Sequence, residues 1–306
     1  MFKTPREILN AYKDGFVGSW CDPEDTDKLL GELPHPLFGV AASDLYDTGE
    51  GKVSLLYKSA QKYDPTFGSH ERQTTGDCVS HSTRTAVDVT RCHEIVGGQR
   101  EEFVARGATE AIYGSRGHGG QGMSCSVAAR FVAQNGGILV RKDYGFIDLS
   151  KYNSRIGTNW GRSGVPRQVI EEGKKHQVKT ISLINTVDQA RDAIANGYAI
   201  SVCSNYGFSS RRNQHGIAAR SKSWNHAMCW CAMDDSREIH NETLFLIQNS
   251  WGAFNGGPKR FDQPDGSFWI RQKDAAGMLR QNGAWVFSDV DGFPPRKVDF
   301  TIDEVF

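Results

Sequence analysis

The apolar positions change their period about two-thirds of the way along the chain. Up to residue 195 they recur at helical spacing. Val79, Ala86, Val89, Ile95 and Val96 approximate one face and predict a helix from Cys78 to Val96, ended by Gly97-Gly98. Ser124 is a plausible N-cap for a second helix, whose stripe Val127, Phe131 and Val132 stops at Gly136-Gly137. Residues 145–175 read as loop with a short helix near Pro166 to Gly173, and Asp188 to Ala195 as a helix stopped by Asn196-Gly197. From Tyr198 the period shortens. YAISVCS (198–204), HAMCWCAM (226–233), TLFLIQNS (243–250), GSFWIRQ (266–272) and GAWVF (283–287) read as strands. Helices followed by strands predict an α+β protein in two lobes, not a βαβ repeat. Residues 1–55 are polar and turn-rich, with one short helical pattern at Pro5 to Tyr12 and a short apolar run following at Val53 to Tyr57. They read as an extension wrapping the core.

Charge and cysteine content narrow the function classes. The chain has 306 residues and carries 36 basic against 36 acidic side chains. That balance argues against a broad electrostatic nucleic-acid binder and a polybasic membrane binder. No apolar run approaches the ~20 residues of a membrane span, and the amino terminus lacks the apolar core of a secretory signal. The seven cysteines (21, 78, 92, 125, 203, 229 and 231) are odd in number and show no disulfide spacing. The simpler expectation is reduced thiols and a cytoplasmic or virion-associated chain.

Three segments carry chemistry. QTTGDCVSHS (73–82) places Cys78 at the start of a helix, where the macrodipole lowers a thiol pKa. WNHAMCW (224–230) opens an apolar strand with His226, and LIQNSWG (246–252) ends the next with Asn249. A nucleophilic thiol needs a base, and the base needs a group to hold its tautomer. Cys78, His226 and Asn249 supply all three, the first two lying 148 positions apart.

These segments resemble the papain-like cysteine peptidases, from about Val53 to about Phe287. RGHGGQGMSCSVAARFVAQNGGI resembles that family's glycine-pair loop and following helix, VDQARDAIANGYAISVCS its helix leading into the first barrel strand, and QNSWG is the most specific string. The resemblance implies a helical left lobe, a β-barrel-like right lobe and an active-site cleft between them. Residues 1–55 would be an extension or pro-region and 56–306 the peptidase domain, divided near residue 180. Cys78 would attack the scissile carbonyl, His226 would form the ion pair and protonate the leaving amine, and Asn249 would orient His226 under the cover of Trp251. Gln73 and the Cys78 N–H would form the oxyanion hole. Gly119, Gly120, Asn225 and Ala227 would bind the substrate backbone. No cofactor or metal is implied, and the partner is a peptide or protein substrate. Val79 stands where the family usually carries an aromatic residue. Gln73 lies five residues before Cys78 instead of six, and Thr75 and His118 occupy the places of a disulfide found in secreted members.

Two other readings fit the same residues: acyl transfer or amide cleavage on cell-wall peptides, and a non-catalytic scaffold in a larger assembly such as a virion, held through the extension. The remaining signals have plainer explanations. GHGGQG lacks the strand and lysine of a phosphate loop. Cys229 and Cys231 fit core packing on one strand face better than a zinc site with His226. His81 reads as a partly exposed helix residue, and the basic pieces from Arg211 to Lys222 as a solvated loop.

Overall fold

A computed structural model describes residues 1–68, 71–98 and 102–296. The last ten residues of the expected peptidase domain, 297–306, lie outside them. The extension contributes α1 (Pro5–Lys13), β1 (Ser19–Trp20), α2 (Pro23–Glu32), α3 (Phe38–Ala41) and β2 (Val53–Ser54). It holds more regular structure than its polar composition suggested. Thr4 caps α1 with Pro5 in the first turn, and the helix buries Ile8 and Tyr12, four residues apart on one face.

The helical lobe follows with α4 (Leu56–Tyr63), α5 (Cys78–Val96), α6 (Glu110–Gly114), β3 (Met123–Ser124), α7 (Cys125–Arg130), α8 (Ser154–Ser163) and α9 (Arg167–Gly173). The second lobe holds β4 (Thr180–Ile184), α10 (Val187–Ala195), β5 (Ile200–Arg212), β6 (Ala218–Asp234), β7 (Leu244–Gln248), β8 (Ser267–Arg271), α11 (Gln272–Leu279) and β9 (Ala284–Ser288). Its sheet runs β4-β9-β5-β6-β7-β8, antiparallel throughout, with β2 on the far end of β6. It is not a closed barrel. Trp224, Trp230, Trp251, Trp269 and Trp285 are all fully buried. Burying such large side chains supplies much of the lobe's apolar stabilisation.

Three expectations are corrected here. Arg211 to Lys222 is no loop: it spans the end of β5, a turn at 213–217 and the start of β6. Residues 219–223 are exposed, because the hairpin arm projects past the core. His81 is buried, since Asp77, Glu71 and Tyr152 close around it. Not all the cysteines are reduced thiols: Cys125, opening α7, bridges Cys203 on β5, with Cα atoms 6.4 Å apart. The two lie 78 residues apart, and only the docking of one lobe on the other makes them neighbours. Cys229 and Cys231 are buried in the strand core as expected.

Candidate active site

Each central residue sits at an element boundary or on the innermost strand. Cys78 is the first residue of α5. His226 lies on β6 opposite Ser204 of β5. Asn249 follows β7, and Trp251 lies two residues beyond it. The loop before α5 is tied to this end of the sheet by the Gln73 N–H, which donates to the Ser250 carbonyl at 2.9 Å. Lobe packing therefore brings Cys78, His226, Asn249, Gln73 and Trp251 into one cluster.

The hydrogen bonds define the imidazole tautomer. Asn249 Oδ1 accepts from the Ser250 N–H at 2.8 Å, which fixes the orientation of the amide. That oxygen also faces His226 Nε2 at 2.9 Å, so Nε2 carries the proton and Nδ1 is a bare acceptor. Trp251 covers the pair, its ring 4.7 Å from the imidazole, and Trp224 packs behind it at 4.9 Å.

His226 Nδ1 does not meet the thiol directly. Tyr12 of the extension stands between them, its hydroxyl 3.2 Å from Nδ1 and 3.4 Å from Cys78 Sγ. With Nδ1 an acceptor, the phenol donates to the imidazole and its oxygen faces the thiol. Tyr12 packs its ring on His226 and Trp251 at 5.0 and 5.3 Å. Downstream, the Gly18 N–H donates to the Asn225 carbonyl at 2.9 Å, and its carbonyl accepts from the Met123 N–H at 3.2 Å. Ser19 and Trp20 then pair in parallel with Met123 and Ser124. Residues 12–20 thus fill the cleft between the lobes.

The substrate contacts expected at Asn225, Ala227, Gly119 and Gly120 are distributed unevenly. Asn225 binds the extension, and the Ala227 backbone approaches Cys78. Gly119 lies against Arg162 and Gly120 against His118, while the backbone edge that pairs with the extension is three to four residues further on, at Met123–Ser124. Gln73 is turned to structure. Its Oε1 accepts from Ser250 Oγ and, at 3.2 Å, from Trp251 Nε1, and its Nε2 donates to the Thr75 carbonyl at 2.8 Å.

Electrostatics follow from this closure. Burial pushes the Cys78 thiol up to about 12, although polar contacts with Tyr12 and with the Ala227 and Val79 backbone oppose it. Burial likewise lowers His226 to about 3, against its bond to Asn249 and helped by the nearby His81. Tyr12 is raised by burial and by the adjacent thiol. The helix-terminus expectation of a lowered thiol pKa is therefore reversed in this closed state, because desolvation outweighs the dipole. Thiol, phenol and imidazole form a neutral relay.

Sequence reasoning missed Tyr12 and Gly18. The i, i+4 spacing of Ile8 and Tyr12 within the short helical pattern is the signal that could have found a buried face, but nothing in sequence names its partner. A Cβ at position 18 would lie 2.0 Å from the Tyr12 hydroxyl and 2.9 Å from Cys78 Sγ. Gly18→Ala is expected to loosen the segment and raise Cys78 alkylation by about 10- to 100-fold, the equivalent of a ~1–3 kcal/mol overpacking cost. The rate of iodoacetamide labelling at Cys78 checks this.

The site also has an acid dependence. In the Cys78→Ala variant, where the opened His226 has no thiolate to pair with, the imidazole regains a pKa near ~6.5, against the value of about 3 that burial gives it in the closed chain. Below that value the open form binds a proton that the closed form does not. Closure is therefore fully favoured above ~pH 6.5 and weakens about tenfold per unit as pH falls toward 3. The groups facing His226 are Tyr12, Cys78, Asn249 and Trp251, with His81 nearby. Exchange of the Gly18 amide in that variant, corrected for intrinsic rate, is expected to speed up between pH 7 and 5.

No family model matches the sequence, and no curated protein matches it. Solved structures do. Xylellain, a cysteine protease from Xylella fastidiosa, aligns over 78% of this chain and 86% of its own with 16% identity and a TM-score of 0.52. The fold is papain-like. A procathepsin B, S9, from Trypanosoma congolense aligns over 90% of this chain and 87% of its own, at 14% identity and a TM-score of 0.49. At these identities the likeness describes the papain-like backbone and leaves the chemistry to the residues above. Among the described residues no helix is long and apolar enough to cross a membrane, and no cluster of His, Cys, Asp and Glu could hold a metal ion.

Proposed function

We propose that the chain is a cysteine peptidase held latent by its own amino-terminal segment. The observation that carries this reading is the alignment of Cys78, Tyr12, His226 and Asn249, in which a single phenol separates a thiol from an otherwise complete base and orienting amide. With the segment displaced, Cys78 and His226 meet and exchange a proton to form a thiolate–imidazolium pair. The thiolate attacks a peptide carbonyl, and His226 protonates the departing amine. Water then hydrolyses the acyl-enzyme with His226 as base. The Cys78 N–H at the start of α5 stabilises the oxyanion, joined by Gln73 Nε2 once it leaves the Thr75 carbonyl. Residues 1–55 act as the extension and 56–306 as the peptidase domain, and its partner is a peptide or protein substrate.

A second reading, a papain-like scaffold without activity, is favoured by the same plug: the thiol is fully buried and neutral. Controlled nicking of the extension separates the two. Brief digestion with an external protease, followed by its specific inhibition, is expected to release hydrolysis of fluorogenic peptides that an epoxide thiol inhibitor stops. A nicked, folded protein that neither hydrolyses peptides nor takes up the epoxide at Cys78 would leave the scaffold reading standing.

A further inference from the structure

A free thiol, Cys21, lies beside the backbone of one residue of the disulfide that joins the lobes. Cys21 is the residue after β1, so it ends the segment that fills the cleft. Its Sγ lies 4.0 Å from the Cys203 carbonyl oxygen. On the other side, Cys125 Sγ lies 3.2 Å from the Trp20 carbonyl oxygen. Trp20 and Cys21, at the end of the cleft-filling segment, thus flank the two residues of the Cys125–Cys203 bridge, Trp20 at the Cys125 sulfur and Cys21 at the Cys203 backbone. Gly283 makes this approach possible. A Cβ there would sit 2.3 Å from Cys21 Sγ and 2.8 Å from the Cys203 carbonyl, so a larger residue would displace the thiol. The Gly283 carbonyl also accepts the Cys203 N–H at 2.9 Å, which holds β5 and the approach to β9 around the pocket. Neither the acyl-transfer chemistry nor the Tyr12 plug uses these three sulfurs.

We propose that Cys21 is a thiol–disulfide exchange site that latches the inhibitory segment covalently to the body of the protein. This rests on the latency reading above. The step is an isomerisation and needs no oxidant. Cys21 gives up its proton to solvent, its thiolate attacks Cys203 Sγ, the Cys125–Cys203 bond breaks, and Cys125 leaves as a thiolate that is then protonated. The product, Cys21–Cys203, ties the chain nine residues beyond Tyr12 to β5. A small dithiol that reduces that bond, returning Cys21 and Cys203 as thiols and leaving as its own cyclic disulfide, frees the segment and leaves it held by packing and hydrogen bonds alone. Burial raises the Cys21 thiol to about 11, so the packed segment attacks slowly at neutral pH and faster as pH rises.

The test uses the full-length protein at pH 7 and pH 9, in air-free buffer without added thiol. Samples are quenched by acid, blocked with N-ethylmaleimide and mapped by non-reducing peptide mass spectrometry. The expected result is a Cys125–Cys203 peptide that converts in part to Cys21–Cys203 at pH 9 with Cys125 newly alkylated, and no such species in Cys21→Ser. Epoxide labelling at Cys78 is expected to be at least tenfold slower in the Cys21-linked fraction than after mild reduction. Finding only Cys125–Cys203 at both pH values, or Cys21 fully alkylated throughout, overturns the exchange. Equal Cys78 labelling with and without the Cys21 link overturns the latch. Tyr12→Ala run in parallel separates the two readings. If it unmasks Cys78 while no Cys21 link forms, latency stands and the latch falls. If the link forms but Tyr12→Ala leaves Cys78 inert, the latch falls together with the latency on which it depends.

Discussion

Tyr12→Ala is expected to raise the rate of Cys78 alkylation at pH 7.5 by about 10³-fold. In the closed site the thiol sits near 12, so almost none is ionised. An ordinary thiol near ~8.5 is about one-tenth thiolate at that pH, and a paired one is more fully ionised. Removing the phenol does two things at once: it deletes the wedge between Sγ and Nδ1, and it takes away the ring that packs on His226 and Trp251. The second change weakens docking of the whole segment, because truncating a fully buried aromatic side chain typically costs ~3–5 kcal/mol. Tyr12→Phe discriminates between the two. It keeps the ring, so steric blocking persists, and the gain is expected to stay below about tenfold. Intact-mass spectrometry with an epoxide inhibitor reads all of these, with Cys78→Ala in the Tyr12→Ala background as the blank. If Tyr12→Ala labels no faster than the parent chain, while the denatured protein labels fully, the plug is not what silences the thiol.

The two kinds of residue in this experiment differ in how visible they were in sequence. Cys78, His226 and Asn249 each mark a change of local pattern: the start of a helical period, the opening of an apolar strand, the end of the next. Such boundaries are local facts, and the sheet register then brings them together. Tyr12 is a tertiary fact. Its partners lie 66 and 214 residues away, and the segment around it is too polar to advertise a docking face beyond the pair Ile8 and Tyr12. Gly18 is similar: it has no positive φ to mark it, and its requirement for a hydrogen side chain arises only from the sulfur and hydroxyl beside it. The same reasoning accounts for His81 and the Cys125–Cys203 bridge. Local composition indicated a partly exposed helix residue and free thiols; the loop just before His81 folds back to supply Glu71 and Asp77, while distant segments supply Tyr152 and the second sulfur.

Those carboxylates belong to a buried ion network beside the start of α5, and breaking it is expected to carry a large cost in stability. Arg141 donates to Glu71 at 3.0 Å and to Glu110 at 2.7 Å, and all three side chains are at least nine-tenths buried. Arg84 binds the other oxygen of Glu71 at 2.9 Å. Burial raises the Glu71 carboxyl, but Arg84 and Arg141 overcome that and hold it below its ordinary value. Glu110 has no second cation among the described residues. Its other oxygen accepts only the Asn153 N–H, at 2.7 Å. Arg141→Met leaves that carboxylate buried and unpaired, a situation that typically costs ~3–5 kcal/mol. Urea unfolding should show the lowered midpoint. Adding Glu110→Gln removes the stranded charge and should recover part of the loss, so the two effects will not add. Arg141→Lys keeps the charge but cannot reach both carboxylates with a planar fork, and should fall between. The damage should also reach the site. Glu71 lies in the connection that carries Gln73 and leads to Cys78, and Asp77 in that connection is held by Tyr152 at 2.6 Å beside His81. Loss of one of the two arginines that hold Glu71 should therefore speed amide exchange at Gln73, whose N–H otherwise bonds the Ser250 carbonyl. Unchanged stability in Arg141→Met would mean that the Glu110 carboxylate reaches water at no cost, which its nearly complete burial argues against.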